Sequence, residues 1–413
     1  MSLPHLSHRI PKRILVLAFY GLLLSISTQM LYSHLVLFLK FGLGATESQI
    51  GWIDGLGEFL SYLTRIFAGA ISDYISNRKI LLLIGCSVAC LVKPIFSCST
   101  SVAGVLVAEL LERLGTGIQA SPRDALLADL SDKNRLGEMF GFAKSMKTAG
   151  TVVGTAIAVS IIYFSGGNYA LLFAAASIPA LIAATFLLKI KGQNIGNFFE
   201  KKFVNPFQKK YLLSLDSRFF ALITLAFCCE LGHFGESLIT LAATRIISPS
   251  LAGITTAFMG IGPIIFAYPV GLLADKYGKF PLLKICLFLA GVSYILTAFS
   301  DNRYVFFFSV IILCGQHASI QSIFLSMINE RINKKLRGTA IGIFYCAIGI
   351  SYMISAEVCG IICEKSKYEY AFLYSAFLCF LCLLFCQRFQ KKTNNRVYNR
   401  DNIKKIRFKS RLD

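Results

Sequence analysis

This sequence predicts an all-α membrane protein with twelve transmembrane helices in two pseudo-symmetric six-helix halves, and three observations lead there. Of its 413 residues, 55% are hydrophobic and only 15% charged, which leaves too little polar surface for a soluble chain of that size. Roughly twelve apolar stretches follow one another, each near the ~20 residues a helix needs to cross a hydrocarbon core about 30 Å thick. Finally, one small constellation occurs twice. It reads Gly69-Ala-Ile-Ser-Asp73 followed by Arg78 and Lys79, and again Gly271-Leu-Leu-Ala-Asp275 followed by Lys276, Gly278 and Lys279, at an offset of 202. Gly137 with Gly141 returns as Gly338 with Gly342 at an offset of 201. Matched halves around a central site are the architecture of alternating access.

In chain order the expected spans are 14–38, 50–71, 80–96, 102–120, 139–164 and 169–188, then 219–243, 251–273, 281–299, 304–327, 339–363 and 371–389. Residues 1–190 make the first half, 191–217 a polar linker interrupted by Gly192, Gly196 and Pro206, 218–390 the second half, and 391–413 a basic tail. The first stretch follows Arg9, Lys12 and Arg13. At about 25 residues it exceeds a secretory apolar region, and no small-residue cleavage site follows it, so it is retained as a span.

A net charge of +20 first suggests a nucleic-acid partner, but its distribution argues against one. With both termini cytoplasmic, the inside segments hold 31 of the 42 Lys and Arg residues, the outside loops five and the spans six. That asymmetry orients a multi-pass protein of the inner (plasma) membrane. The tail from Arg388 to Arg411 either binds anionic lipid headgroups or is a solvated topogenic segment. The 13 cysteines lie mostly inside apolar runs and behave as small hydrophobes.

Charges inside spans are costly, so each is a functional candidate. Glu58 and Arg65 fall on the second span, Glu112 and Arg113 on the fourth, Lys144 and Lys147 on the fifth. A Glu112 to Lys147 bridge is one expected pairing. On the seventh span Glu230, His233 and Glu236 follow at i, i+3 and i+6, so that neighbours share a helix face and a carboxylate–imidazole relay is geometrically allowed. Metal binding there requires another His or Cys to converge, and His317 on the tenth span is one candidate; no metal site is assigned on sequence alone. Gln29, His34, Gln316 and Gln321 add polar groups. No Gly-x-x-x-x-Gly-Lys-Ser/Thr loop, nucleophile–base set or cofactor motif is present, so the chain is expected to be neither an enzyme nor a nucleotide-driven pump.

The paired Gly-x-x-x-Asp motifs with following basic residues resemble the hallmark of the major facilitator superfamily. Arg113 with Gly117, and the run Pro122-Arg123-Asp124-Ala125-Leu126 through Asp129, resemble a bacterial efflux-type or uncharacterised permease branch. The resemblance implies that the first, fourth, seventh and tenth helices line the cavity and that Arg113 takes part in proton coupling. It further implies that Gly69, Asp73 and Arg78, with Gly271, Asp275 and Lys279, latch the halves against the helices opened by Gly137 and Gly338. Ser25 and Gln29 stand where that branch carries first-helix acids, Lys147 where it carries an Asp, and Thr155 where the antiporter motif has Pro. The implied protein is a monomeric secondary transporter of a small organic solute, proton-coupled and of efflux type. An uptake permease or facilitator for an anionic metabolite or carboxylate siderophore is the alternative within that class, and a non-cycling receptor or scaffold the alternative outside it.

Overall fold

A computed structural model describes residues 10–75, 78–131, 135–189, 216–332 and 337–387. The expected linker at 191–217 lies almost wholly, and the tail at 391–413 wholly, outside them. The first half contains α1 (Lys12–Leu37, prolonged by a π turn over Phe38–Gly42), α2 (Glu47–Ile75), α3 (Arg78–Cys98), α4 (Val102–Leu130), α5 (Leu136–Phe164) and α6 (Tyr169–Lys189). The second contains α7 (Ser217–Glu230), α8 (Glu236–Ala243), α9 (Pro249–Ala252), α10 (Thr255–Tyr277), α11 (Lys279–Phe299), α12 (Arg303–Arg331), α13 (Arg337–Lys365) and α14 (Tyr368–Gln387).

Among the described residues, nine helices are long and apolar enough to cross a membrane. Helices α2 and α4, each 29 residues long, are as long as the others but carry the acids and Arg113 discussed below. Large apolar side chains such as Leu91, Phe164, Leu181, Tyr268 and Phe377 are more than half exposed around the bundle, a surface suited to lipid rather than water.

Small residues decide which helices touch. A Cβ built on Gly154 of α5 would meet the Ile26 carbonyl oxygen of α1 at 2.5 Å, and one on Gly150 would collide with that of Leu22. The Gly-x-x-x-Gly spacing therefore packs α5 onto α1. Helix α2 likewise crosses into the second half: a Cβ on Gly360 of α13 would sit 2.6 Å from the Glu47 carbonyl oxygen, and one on Gly55 2.9 Å from the Met353 Cα.

The apolar interior is divided by depth. Toward the face carrying the 43–46 and 366–367 connections, one continuous cluster joins both halves, from Met30, Leu35 and Val36 through Ile50 and Ile53 to Phe234, Leu238, Met259 and Phe372. Toward the opposite face it splits into two. One surrounds Ile14, Leu17, Leu82, Cys86 and Leu126, and the other Phe219, Leu283, Phe324, Phe344 and Cys382, with Tyr62 of α2 reaching into the latter. The first face is sealed. His34 approaches the Ser250 carbonyl oxygen at 3.4 Å, Thr155 pairs with Thr256 at 3.2 Å, and Tyr368 donates to Glu47 at 3.2 Å. On the other face, a Cβ built on Gly141 or Gly271 meets nothing within 4 Å among the described residues.

One expectation is corrected. The stretch 219–243 is not one helix but α7 and α8 separated by a non-helical break over 231–235. Among the described residues, a Cβ on Gly271 meets nothing within 4 Å, while the nearest atom to a Cβ on Gly69 belongs to Ser121 of α4, at 2.8 Å.

Candidate functional site

The site begins where the sequence put charge inside spans, and the structure resolves that charge into an isolated pair and a connected network. Lys93 of α3 and Glu112 of α4 form the pair, with Nζ and Oε1 3.0 Å apart and both side chains 0% exposed. The Lys93 ammonium also donates to the Ala89 carbonyl at 3.0 Å. The expected Glu112 to Lys147 bridge is therefore absent. Helix α4 packs beside α3, whereas α5 packs on α1, so Lys93 rather than Lys147 meets Glu112.

One residue on, Arg113 gathers three carboxylates. Its Nε donates to Glu109 Oε1 at 2.7 Å, its Nη1 pairs with Glu58, and its Nη2 lies 3.6 Å from Asp54 Oδ1. The guanidinium lies 4.6 Å from the centre of the Tyr32 ring, and Tyr32 donates to Glu109 at 3.1 Å. Three acids around one guanidinium leave more carboxylate than counter-charge, in a position where unbalanced charge is costly. A small cavity lined by Tyr32, Asp54, Glu109 and Ser237 adjoins this network.

Asp54 carries the network across to the second half. Tyr352 of α13 donates to Asp54 Oδ2 at 3.0 Å, and its ring lies 5.3 Å from that of His233 in the break between α7 and α8. The break holds because its freed backbone groups are satisfied. Ser351 donates to the Phe227 carbonyl at 2.6 Å, Ser355 to those of Leu231 and His233 at 2.7 Å each, and Tyr294 accepts from the Phe234 amide at 3.0 Å. Unwinding removes Glu230, His233 and Glu236 from a common helical face, which corrects the relay expected on one helix. It brings His233 against α12 instead. The His233 and His317 rings stack with centroids 3.7 Å apart, and His317 Nε2 lies 2.9 Å from Glu230 Oε1.

The remaining candidates fall outside this chain of contacts. Gln29 packs beside Gly154, and Glu236 opens α8 with its side chain exposed. Arg65 lies with its guanidinium 5.6 Å from the Tyr62 ring and its buried Nε without a partner. Lys147 is exposed and forms no ion pair among the described residues. Of the latch residues, the Asp73 side chain lies outside the described ones; Arg78 pairs with Asp129 at 2.6 Å, Lys279 with Glu330 at 2.5 Å, and Asp275 is exposed. Glu109, Tyr32 and Tyr352 were not singled out from sequence. Glu109 was legible, since it stands four residues before Arg113 on the same helix face. Nothing local marks the two tyrosines.

A family model described as Major Facilitator Superfamily matches residues 17–244 and 220–407. An uncharacterized MFS-type transporter of Methanocaldococcus jannaschii is 25% identical over 385 residues, 89% of this chain and 92% of that one. The class H tetracycline resistance protein of Pasteurella multocida is 28% identical over 177 residues, 41% of this chain and 44% of that protein. The crystal structure of the nucleoside transporter NupG superimposes with a TM-score of 0.75 at 12% identity, covering 92% of this chain and 99% of that one. At that identity the likeness shows the fold alone.

Proposed function

This chain belongs to the Major Facilitator Superfamily, and from that premise we propose that it is a proton-coupled secondary transporter moving a small organic solute by alternating access. It is a multi-pass membrane transporter and not an enzyme. The reading places it as a twelve-span monomer in the inner (plasma) membrane with both termini cytoplasmic, by the bias of Lys and Arg toward one set of loops. On that reading the sealed face is external.

The observation that carries the coupling is the network of Asp54, Glu58 and Glu109 around Arg113, joined to the second half through Tyr352. A proton on the surplus carboxylate changes the charge at the contact between halves, so occupancy biases which face is open. No structural observation favours a static receptor or scaffold, and the two matched Gly-x-x-x-Asp motifs support a cycling protein.

Gradient-driven flux in proteoliposomes across a broad ligand panel tests this. The expected result is solute movement that depends on the pH gradient and disappears in Asp54→Asn. Flux indifferent to the gradient in the wild type makes the chain a facilitator, and no flux for any ligand under any gradient overturns transport. The tetracycline-resistance relative supports export as the direction. Arg65 and Lys147, cations that form no ion pair among the described residues, support an anionic or zwitterionic solute. On that reading Lys147→Gln weakens transport of an acid and spares a cation, and equal losses for both remove it.

A further inference from the structure

The break between α7 and α8 leaves a cluster that neither the carboxylate network nor the latch motifs use. Glu230 ends α7, His233 lies in the unwound stretch, and His317 projects from α12. One ligand atom from each of the three lies within 4.8 Å of the other two. From this we propose that the cluster is a binding site for a divalent transition-metal cation of the Zn2+ and Co2+ class.

Two independent observations carry the assignment. The first is the donor set. Two imidazoles and one carboxylate are the ligands such ions take at about 2.0–2.2 Å, usually with a further position left open. Mg2+ and Ca2+ favour all-oxygen sites, so the mixed nitrogen and oxygen set selects against them. The second is availability. His233 is 6% exposed, and its imidazole makes no hydrogen bond among the described residues; only its backbone carbonyl is satisfied, by Ser355. Ring nitrogens that no neighbouring group engages are free to coordinate a cation.

Two of the ligands sit at the end of a helix and in a non-helical segment, and side-chain rotamer changes of about 1 Å bring the three atoms, already within 4.8 Å of one another, to the spacing of a tetrahedral site. The break therefore has a purpose beyond flexibility, because a continuous helix would hold His233 one turn from Glu230 and away from α12. This deepens the transport reading and rests on it only for what the bound ion is for; the binding stands or falls alone.

The test is a Co2+ titration of the purified full-length chain in detergent, with tag removed, followed by ligand-field absorption in the visible and by displacement with Zn2+. The expected result is one Co2+ per chain, displaced by Zn2+, with affinity at least about tenfold weaker in His317→Gln, His233→Ala and Glu230→Gln, and unchanged in a His5→Ala/His8→Ala control. Size-exclusion behaviour reports whether each variant folds. Should one histidine variant fail to fold, Glu230→Gln and the wild-type stoichiometry still decide. Wild-type protein that takes up no stoichiometric Co2+, or binding that survives all three substitutions, overturns the site and reduces the stacked imidazoles to packing. Because no gradient is applied, the outcomes separate cleanly from the flux experiment. Intact binding without flux removes the transport reading alone, and intact flux without binding removes the metal site alone.

Discussion

At the same depth in the bundle, the two halves handle buried polarity by different means. The first half keeps α2 and α4 unbroken and neutralises charge with charge, Lys93 against Glu112 and Arg113 against three acids. The second half breaks a helix, satisfies the exposed backbone with Ser351, Ser355 and Tyr294, and gathers two histidines and one glutamate beside the gap. The repeat that relates the halves at the membrane surface does not extend to these positions. Shifted by 202, Arg113 falls on Gly315, and Gly232 and Gly235 fall back on Met30 and Ser33, inside the unbroken α1. The repeat is thus visible in the scaffold and not in the chemistry at the centre, where one half holds an ion network and the other an imidazole cluster.

The comparison breaks most sharply at Arg113. Arg113→Gln leaves three carboxylates facing each other without a cation, and gradient-driven flux should fall to background, with thermal stability reduced as well. Wild-type flux in this variant would place coupling elsewhere, with the second-half cluster the next candidate. The neighbouring pair gives the contrast. Lys93→Met strands the Glu112 carboxylate at a cost of about 3–5 kcal/mol, but adding Glu112→Leu should recover most of it, because an apolar pair avoids the desolvation that the ion pair incurs. A denaturation series with matched flux measurements decides: a double variant that folds yet transports nothing would move the pair from structure into machinery.

Tyr352 tests whether the halves act together. Tyr352→Phe keeps the ring against His233 and removes the hydrogen bond to Asp54. A hydrogen bond to a charged group contributes about 1.5–3 kcal/mol, so flux should drop about tenfold or more while Co2+ affinity changes little. If both readouts fall together, the two clusters form one unit and the division drawn between the halves is wrong.

These residues also mark how far the sequence could be read. Most span positions were legible, because lipid imposes length and apolarity on a crossing helix; the stretch 219–243 was not, since it breaks at 231–235. The partner of Glu112 was not. Lys93 and Lys147 are both cations at mid-span, and the choice depends on α3 rather than α5 lying beside α4, a fact of tertiary packing. The break was half-legible. Gly232 and Gly235 stand three apart in an apolar run, but hydropathy carries no sign of the serines on α13 that make unwinding affordable. The latch motifs were legible as a repeat.

The smallest effect is also the one that tests this repeat, through the paired glycines. Gly271→Ala places a methyl where nothing lies within 4 Å, so the present conformation should be unharmed, and the helix gains about 0.5–1 kcal/mol from the better helix former. Gly69→Ala brings its methyl against Ser121 Oγ at 2.8 Å, so it should lower stability in this same conformation. If Gly271 packs closely only in another state of the cycle, the alanine penalises that state alone. Turnover then falls about threefold, roughly 0.6 kcal/mol, although the unfolding temperature stays level or rises. Stability and turnover moving in opposite directions is the signature of a contact made in only one of two states. A Gly271→Ala variant that is more stable and turns over at the wild-type rate would show that the second copy of the motif has kept its sequence without its contact.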